Sequence, residues 1–151
     1  MFITSGYGTG SQLLKLSRDG DGVNVEQVWE NKAFDNQHHG IVVMDGHVYG
    51  STHNYKRGVW VCLRLSDGEL AWENPGVGKG SCTYAEGLIY TMNERDGTVG
   101  IFKVTPEKYE EVGRFQLPEE GEGMYWAHPV VCGKRLYLRH SRFLYCYDIA
   151  R

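Results

Sequence analysis

The stretch from His39 to Glu73, HGIVVMDGHVYGSTHNYKRGVWVCLRLSDGELAWE, decides the fold of this protein. It divides into four strand-like runs that are separated by the segments DG, STHNYKRG and SDG. The pairs Asp45-Gly46 and Asp67-Gly68 tolerate the positive φ angles that tight hairpin turns require. We therefore expect four antiparallel strands, each of which pairs with the next along the chain.

The same pattern of four runs recurs along the sequence. It returns after Gly80 as SCTYAEGLIYTMNERDGTVGIFKVTPEKYEEVGRFQ, and its first three runs return from Ala127 as AHPVVCGKRLYLRHSRFLYCYDIA. The N-terminal part, FITSGYGTGSQLLKLSRDGDGVNVEQVWE, supplies the last three runs. The fourth-run aromatic residues Trp29, Trp72 and Phe115 keep a period of about 43 residues, which indicates a repeat architecture.

The strand runs are apolar on both faces, so a single sheet of this kind cannot bury its own apolar surface. Neighbouring sheets must cover it, and sheets of constant period that pack face to face around an axis form a β-propeller. The prediction is an all-β propeller of four-stranded antiparallel blades, with small residues where the innermost strands begin, at Gly40, Gly80, Ser81 and Ala127. About four blades form one half-ring domain, at approximately residues 1–34, 35–76, 77–124 and 125–151.

The segment CLRLSDGELAW resembles the pyrroloquinoline-quinone-like propeller repeat, whose blades end in the motif A-x-D-x-x-T-G-x-x-x-W. Gly68 and Trp72 match this motif, whereas Cys62, Arg64 and Asp67 replace its Ala, Asp and Thr. The segment LYCYDIA in the last repeat is similar to the family's third strand. The resemblance covers essentially the whole chain and is specific for the fold.

In this family eight blades commonly close one ring. The resemblance therefore implies that the chain is half of a ring, either as part of a longer propeller or as one of two copies that associate into a homodimer. It also suggests a periplasmic or other extracytoplasmic bacterial protein. No signal-peptide pattern opens the sequence, so the compartment stays open.

Charge and hydropathy argue against two classes of partner. The 16 basic and 19 acidic residues are scattered along the chain, without the Lys/Arg cluster that neutralises a phosphate backbone. The longest apolar runs, such as GIVVM and HPVVC, are about five residues long, far short of the roughly 20 needed to cross a bilayer. We therefore expect neither a nucleic-acid partner nor a membrane span.

The four cysteines, Cys62, Cys82, Cys132 and Cys146, match no zinc-binding spacing. Cys62 and Cys146 occupy the same repeat position two blades apart, too far for a disulfide, in which the Cα atoms lie about 5.5 Å apart. We expect buried free thiols that act as small hydrophobic side chains. The sequence assigns no catalytic, cofactor-binding or metal-binding residue, and no cofactor is expected.

The histidines form the most interesting polar set. His38 and His39 precede the first strand of the second blade, and His128 occupies the equivalent point of the fourth blade, beside Tyr125 and Trp126. At the mouth of a propeller channel, imidazoles and aromatic rings could hold an anion, a metal or a planar ligand. The alternative is that each histidine only satisfies neighbouring backbone carbonyls. The candidate channel-mouth site comprises Asn36, Gln37, His38, His39, Lys79, Tyr125, Trp126 and His128.

Three functions are compatible with these features. We favour a non-catalytic propeller that binds a protein partner or serves as a scaffold, similar to the propellers of outer-membrane assembly lipoproteins in the same repeat family. The first alternative is a fragment or relative of a quinone-dependent dehydrogenase, although the vicinal cysteine pair and the length of those enzymes are missing. The second is a small-ligand or carbohydrate binder, which rests on aromatic residues that we expect to be exposed, such as Tyr55, Trp60 and Trp126.

Overall fold

The computed structural model describes residues 1–150, in which β-strands dominate the regular structure. The strands form four antiparallel sheets of three, four, four and three strands. Apart from a 3₁₀ turn at Tyr55–Arg57, residues 1–150 contain no helix. The expected all-β class is therefore confirmed. Within this described part of the chain, no helix has the length and apolar character to span a membrane.

Every strand pairs only with its neighbours in sequence, so each sheet is a simple up-and-down series. Sheet 1 contains β1 (Phe2–Ser5), β2 (Gly10–Asp19) and β3 (Gly22–Asn31). Sheet 2 contains β4 (Ile41–Met44), β5 (His47–Ser51), β6 (Trp60–Arg64) and β7 (Leu70–Asn74). Sheet 3 contains β8 (Gly80–Ala85), β9 (Leu88–Asn93), β10 (Thr98–Lys103) and β11 (Glu111–Gln116). Sheet 4 contains β12 (Val130–Cys132), β13 (Arg135–His140) and β14 (Phe143–Asp148).

Equivalent turns join the first two strands of sheets 2, 3 and 4. Both central residues have positive φ in each turn, at Asp45-Gly46, Glu86-Gly87 and Gly133-Lys134. This is the type I′ geometry, whose twist matches that of the flanking antiparallel strands. The chain thus uses one turn chemistry at one repeat position in three sheets.

A β-bulge also recurs at one repeat position. The register shifts between Leu13 and Leu14 in sheet 1, between Cys62 and Leu63 in sheet 2, and at the corresponding step Ile101–Phe102 in sheet 3. Each bulge lies where the last two strands of the sheet pair. A bulge locally bends its strand and increases the twist, so the outer strands of these three sheets share one curvature.

The sheets pack face to face in chain order through three apolar clusters. Phe34, Val48 and Leu63 lie in the cluster where sheet 1 meets sheet 2. Trp60 and Phe102 lie in the cluster between sheets 2 and 3. Trp60 is fully buried there, so the expectation that its ring is exposed was wrong. The cluster between sheets 3 and 4 contains Tyr90, Met92, Leu136 and Leu138. Each interior sheet is therefore covered on both faces, as its apolar strand runs require.

The outer strands carry a repeated aromatic anchor. The indole N–H of Trp29 in β3 donates to the carbonyl of Leu65 at 3.0 Å, and that of Trp72 in β7 donates to Thr105 at 2.8 Å. Each bond therefore runs from the outer strand of one sheet to the next sheet. At the corresponding step of sheet 3, Ile101 pairs with Gly113, and Phe115 lies two residues further along β11. Phe115 packs on Tyr147 at a ring separation of 4.7 Å and has no N–H to donate.

The first strands of sheets 2, 3 and 4 lie side by side, because β8 contacts both β4 and β12. The Cys82 amide donates to the carbonyl of His39 at 3.0 Å, and the Ser81 hydroxyl donates to the carbonyl of Ala127 at 2.9 Å. Gly80 is required at this crowded junction, because a Cβ atom there would lie 1.9 Å from the carbonyl oxygen of Met92.

The two end sheets each leave one face exposed within residues 1–150. On the sheet 1 outer face, Leu16 pairs with Val25, and both side chains are exposed. On the sheet 4 outer face, Val130, Tyr137 and Cys146 form one cross-strand row, which Leu144 extends. These faces carry exposed apolar side chains, and no described sheet packs against them.

The four cysteines differ in burial according to the sheet face on which they lie. Cys62 and Cys82 are buried between sheets, as expected, but Cys132 and Cys146 are exposed. The expectation that all four thiols are buried was therefore wrong for these two. Side chains two residues apart on a strand share a face, so Cys132 lies with Val130 on the sheet 4 outer face, which no described sheet covers.

Candidate functional site

A pocket of about 470 Å³ opens at one end of the sheet stack. The loops that join β1 to β2, β5 to β6 and β9 to β10 supply Tyr7 from sheet 1, His53 from sheet 2 and Glu94 from sheet 3. The links between consecutive sheets supply its other residues. The lining comprises Tyr7, Gln37, His38, His53, Lys79, Glu94, Met124 and Trp126, and we call it the His–Glu pocket.

The carboxylate of Glu94 organises the floor of the His–Glu pocket. The ammonium of Lys79 lies 2.8 Å from Glu94 Oε1. Nε2 of His39 lies 3.0 Å from Glu94 Oε2, and Nε2 of His38 lies 3.9 Å from the same oxygen. Lys79 Nζ also lies 3.3 Å from Nδ1 of His53. One buried carboxylate thus connects side chains that come from three different segments.

Burial and pairing set the charge of these groups. Burial is the main cause that lowers the pKa of His39 to about 4, although its hydrogen bond with Glu94 opposes this change. Burial also lowers the pKa of His38, against the attraction of Glu94. For Glu94, burial alone would raise the pKa, but hydrogen bonds from Lys79 and His39 bring it below its ordinary value. Near neutral pH the floor therefore holds neutral imidazoles beside an ionised carboxylate and an ammonium.

His39 uses only one of its two ring nitrogens. Nε2 faces Glu94, whereas Nδ1 is the one buried side-chain nitrogen or oxygen in residues 1–150 without a hydrogen-bond partner. Buried polar atoms in proteins are nearly always paired. Structural hydrogen bonding therefore does not account for the whole ring, and the bond that His39 does make is directed at the pocket floor.

Aromatic and flexible side chains form the rim of the pocket. Tyr7 is 70% exposed and Trp126 is 57% exposed, values that are high for large rings. The Gln37 amide donates to the Tyr7 hydroxyl at 3.1 Å, and the Trp126 ring meets that of His38 edge to face at 5.6 Å. The rim therefore offers flat apolar surfaces next to hydrogen-bonding groups.

An aspartate fixes the loop that carries His53. Asp35 is fully buried, and its carboxylate accepts backbone N–H bonds from Gly8, His53, Asn54 and Tyr55 at 2.8–3.3 Å. Burial alone would raise the pKa of this carboxyl, but the four backbone donors lower it below its ordinary value. Asp35 thereby ties the Tyr7 loop of sheet 1 to the His53 loop of sheet 2.

The eight residues proposed from the sequence separate into two groups. Gln37, His38, Lys79 and Trp126 line the pocket, and His39 lies in its floor. The other three, Asn36, Tyr125 and His128, hold the surrounding backbone and rings in place.

The supporting contacts of these three residues are specific. The Asn36 amide donates to the carbonyls of Gly40 and Ser51. His128 hydrogen-bonds to the carbonyl of His38 at 2.9 Å. The ring of Tyr125 stacks on His140 at 3.6 Å. Asn36, Tyr125 and His128 therefore shape the site without lining it.

Sequence reasoning missed Tyr7, His53, Glu94 and Met124. A signal for two of them was present. His53 follows the second-strand aromatic Tyr49 by the same number of residues as Glu94 follows Tyr90, so the two occupy one repeat position. Superimposing the loops as well as the strands would have paired a histidine with a glutamate at equivalent places. No comparable pattern marks Met124 or Tyr7.

The pocket has the composition of a binding site, with exposed rings at the rim and a paired charge set beneath them. No known protein-family model matches the sequence, and no curated protein matches it either. The geometry of the His–Glu pocket and the repeat that relates the four sheets are therefore the features that bear on function.

Proposed function

We propose that this protein is a non-catalytic binding module whose four sheets are consecutive blades of a pyrroloquinoline-quinone-like β-propeller. Three recurring features support the propeller arrangement: the type I′ turns, the β-bulge at one repeat position and the indole bonds from one sheet to the next. The adjacent first strands β4, β8 and β12 fit the innermost positions of neighbouring blades. In this proposal the chain forms an open arc of about half a ring.

The binding site in this proposal is the His–Glu pocket. One observation carries it: equivalent loops of sheets 1, 2 and 3 bring Tyr7, His53 and Glu94 to one place, and the link to sheet 4 adds Trp126. The ligand class that fits is a small molecule with a flat ring face for Trp126 and Tyr7. Its polar groups would bond to Gln37 and to the Lys79–Glu94 pair.

The chemistry of the reactive groups supports binding rather than catalysis. Burial raises the pKa of Cys62 to about 11 and that of Cys82 to about 12, so neither thiol is an activated nucleophile near neutral pH. Glu94 is held by Lys79 and His39, which keep it ionised and paired. A general acid or base needs a pKa near the working pH. The pKa of Glu94 is shifted below its ordinary value and therefore away from neutral pH.

Nuclear magnetic resonance tests the ligand proposal, because the Trp126 indole is the exposed reporter at the rim. The probes are glucose, N-acetylglucosamine, tyrosine amide, and pyrroloquinoline quinone with Ca²⁺. We expect at least one ring-bearing probe to shift the signals of Trp126, Gln37 and His53. The shifts should vanish in Trp126→Ala and persist in the control Leu144→Ala. Shifts outside the pocket, or none with any probe, would overturn the ligand proposal.

The experiment with pyrroloquinoline quinone and Ca²⁺ also tests the alternative that the protein is related to a quinone-dependent dehydrogenase. Binding of the quinone with Ca²⁺ followed by oxidation of an added alcohol would support the dehydrogenase relationship and would overturn the non-catalytic proposal. Binding without turnover would support a binding module.

The scaffolding part of the proposal concerns the two outer faces. Each interior interface joins opposite faces of consecutive sheets, and the exposed faces of sheets 1 and 4 are a further pair of this kind. We propose that a second copy covers them, with sheet 4 of each copy on sheet 1 of the other, which closes a ring with two-fold symmetry.

Sedimentation tests this association. We expect about twice the 17.1 kDa of one chain, and Leu16→Glu combined with Leu144→Glu should yield the monomer by placing charges in both contacts. A wild-type monomer at high protein concentration would contradict the two-copy ring.

A further inference from the structure

We infer that the floor of the His–Glu pocket is a binding site for a divalent transition-metal ion of the zinc class, with His38, His39 and Glu94 as its protein ligands. This inference goes beyond the proposed binding of an organic ligand and does not depend on it. It rests on the distances among three side chains and on the way their other atoms are held.

The three candidate ligand atoms are already close together. One ligand atom from each residue lies within 4.8 Å of those of the other two, and Nε2 of His38 and Nε2 of His39 are 3.9 and 3.0 Å from Glu94 Oε2. Zinc binds imidazole nitrogen and carboxylate oxygen at about 2.0–2.2 Å in tetrahedral geometry, which places neighbouring ligand atoms about 3.3 Å apart. Small rotations of His38, which is partly exposed, would complete this spacing.

The carboxylate is oriented for a ligand on one side. Lys79 occupies Glu94 Oε1 at 2.8 Å, so Oε2 is the oxygen directed at the two imidazoles. Ligating carboxylates in metal sites are commonly held by such an outer hydrogen bond. The ammonium also repels a cation, and for this reason we expect a moderate affinity rather than that of a structural zinc site.

Each of the two imidazoles directs one ring nitrogen, Nε2, at the same carboxylate oxygen of Glu94. Neutral imidazole is the species that binds a metal. In the hydrogen bond with the ionised Glu94, Nε2 of His39 carries the ring proton. Metal binding at Nε2 would move this proton to Nδ1, which makes no other hydrogen bond.

The two neighbouring histidines also contact each other. Their rings lie 4.2 Å apart in a tilted arrangement, and the carbonyl of His38 accepts a hydrogen bond from His128. The site faces the pocket, so a fourth coordination position would be open to water or to a ligand. Three protein ligands with one open position are the arrangement found in non-structural zinc sites.

The test uses the full, untagged chain after treatment with a chelator. Co²⁺ is titrated by visible absorbance and Zn²⁺ by calorimetry, first with wild type and then with His38→Ala and Glu94→Gln. The matched control is His47→Ala, which removes a histidine outside the pocket that bonds to the carbonyl of Asp45. Circular dichroism confirms that each variant is folded.

We expect one Co²⁺ per chain with the absorption of a tetrahedral site, and one Zn²⁺ that competes with it. His38→Ala should weaken both by roughly tenfold or more, whereas His47→Ala should bind as wild type does. His38 is on the pocket surface, so its loss should leave the fold intact even where Glu94→Gln does not. Wild type without Co²⁺ absorption, or equal binding by His38→Ala and His47→Ala, would overturn the inference.

Discussion

The interface between sheets 2 and 3 and the outer faces of sheets 1 and 4 are built from the same kind of strand but differ in burial. Trp60 and Phe102 are fully buried in the interface, whereas Leu16 and Leu144 on the outer faces are 47% and 67% exposed. The strand pattern therefore specifies only that a face is apolar. Whether that face is buried depends on the neighbour that the chain or a partner provides.

The difference has an energetic consequence. An apolar side chain in the interface contributes its transfer free energy and its packing contacts to folding, whereas an exposed one contributes little. Stability should therefore be concentrated in the interior sheets, and the outer faces should tolerate substitution unless a partner covers them.

The largest expected effect is that of Trp72→Ala. The Trp72 indole packs against Phe102 and Tyr109 and donates its N–H to Thr105, so its removal leaves a cavity and an unpaired carbonyl. We expect a loss of about 3–5 kcal/mol in the free energy of unfolding, measured with urea. The control Leu144→Ala, compared with wild type at a protein concentration low enough for the chain to be monomeric, should stay within about 0.5 kcal/mol of wild type. Equal losses in both variants would contradict the contrast between interface and outer face.

A pair of glycines sharpens the comparison between covered and open positions. Gly68 and Gly87 both have positive φ, but a Cβ at Gly68 would lie 2.6 Å from the Trp29 ring, while one at Gly87 would meet nothing within 4 Å. Gly87→Ala should cost about 1 kcal/mol through backbone strain alone. Gly68→Ala should cost about 1–3 kcal/mol more, because it also displaces the indole. The prediction fails if thermal unfolding gives the two variants the same stability.

An effect similar in size to the difference between the two glycines concerns Asp35, at the junction of sheets 1 and 2. Asp35→Asn replaces a charged acceptor of four backbone N–H groups and should cost about 1–3 kcal/mol at pH 7. The folded pKa lies below the ordinary value of 3.8, so the carboxylate stabilises the fold above about pH 4 and this contribution is lost as the pH falls through the folded pKa.

Urea unfolding from pH 7 to pH 3 measures this effect, with the exposed carboxyl of Asp21 as a control in Asp21→Asn. The gap between wild type and Asp35→Asn should narrow towards low pH, and Asp21→Asn should follow wild type throughout. A gap of constant size would show that the Asp35 charge is not the cause.

Much of the sheet architecture could be predicted from the sequence, because turn residues and strand runs are local signals. The Asp45-Gly46 pair and the outer-strand residues Trp29 and Trp72 lie in the elements that the pattern indicated. The β-bulges could not be predicted, since a register shift depends on how two strands pair. The exposure of Cys132 and Cys146 was equally inaccessible, because it depends on which face a neighbouring sheet covers.

Only part of the candidate site could be predicted from the sequence, for the same reason. The links between sheets contain His38, His39 and Lys79, and polar residues in such loops are ordinary candidates for a binding site. Glu94 lies in a loop of sheet 3 and looks in the sequence like an ordinary solvated turn residue. Only the packing of sheet 3 against sheet 2 buries its carboxylate beneath the histidines. Side chains that meet across sheets carry no local signature.

The outer edge of the interface between sheets 3 and 4 differs from those of the two preceding interfaces. In those two, an indole N–H in the outer strand forms a hydrogen bond that resists sliding of the sheets, whereas Phe115 offers only a ring contact. We expect amide hydrogen exchange to be faster along this edge than along the outer edges of the two preceding interfaces. Trp126 precedes sheet 4 and lines the His–Glu pocket, so a shift of sheet 4 against sheet 3 would move one wall of the pocket and change the width of its entrance.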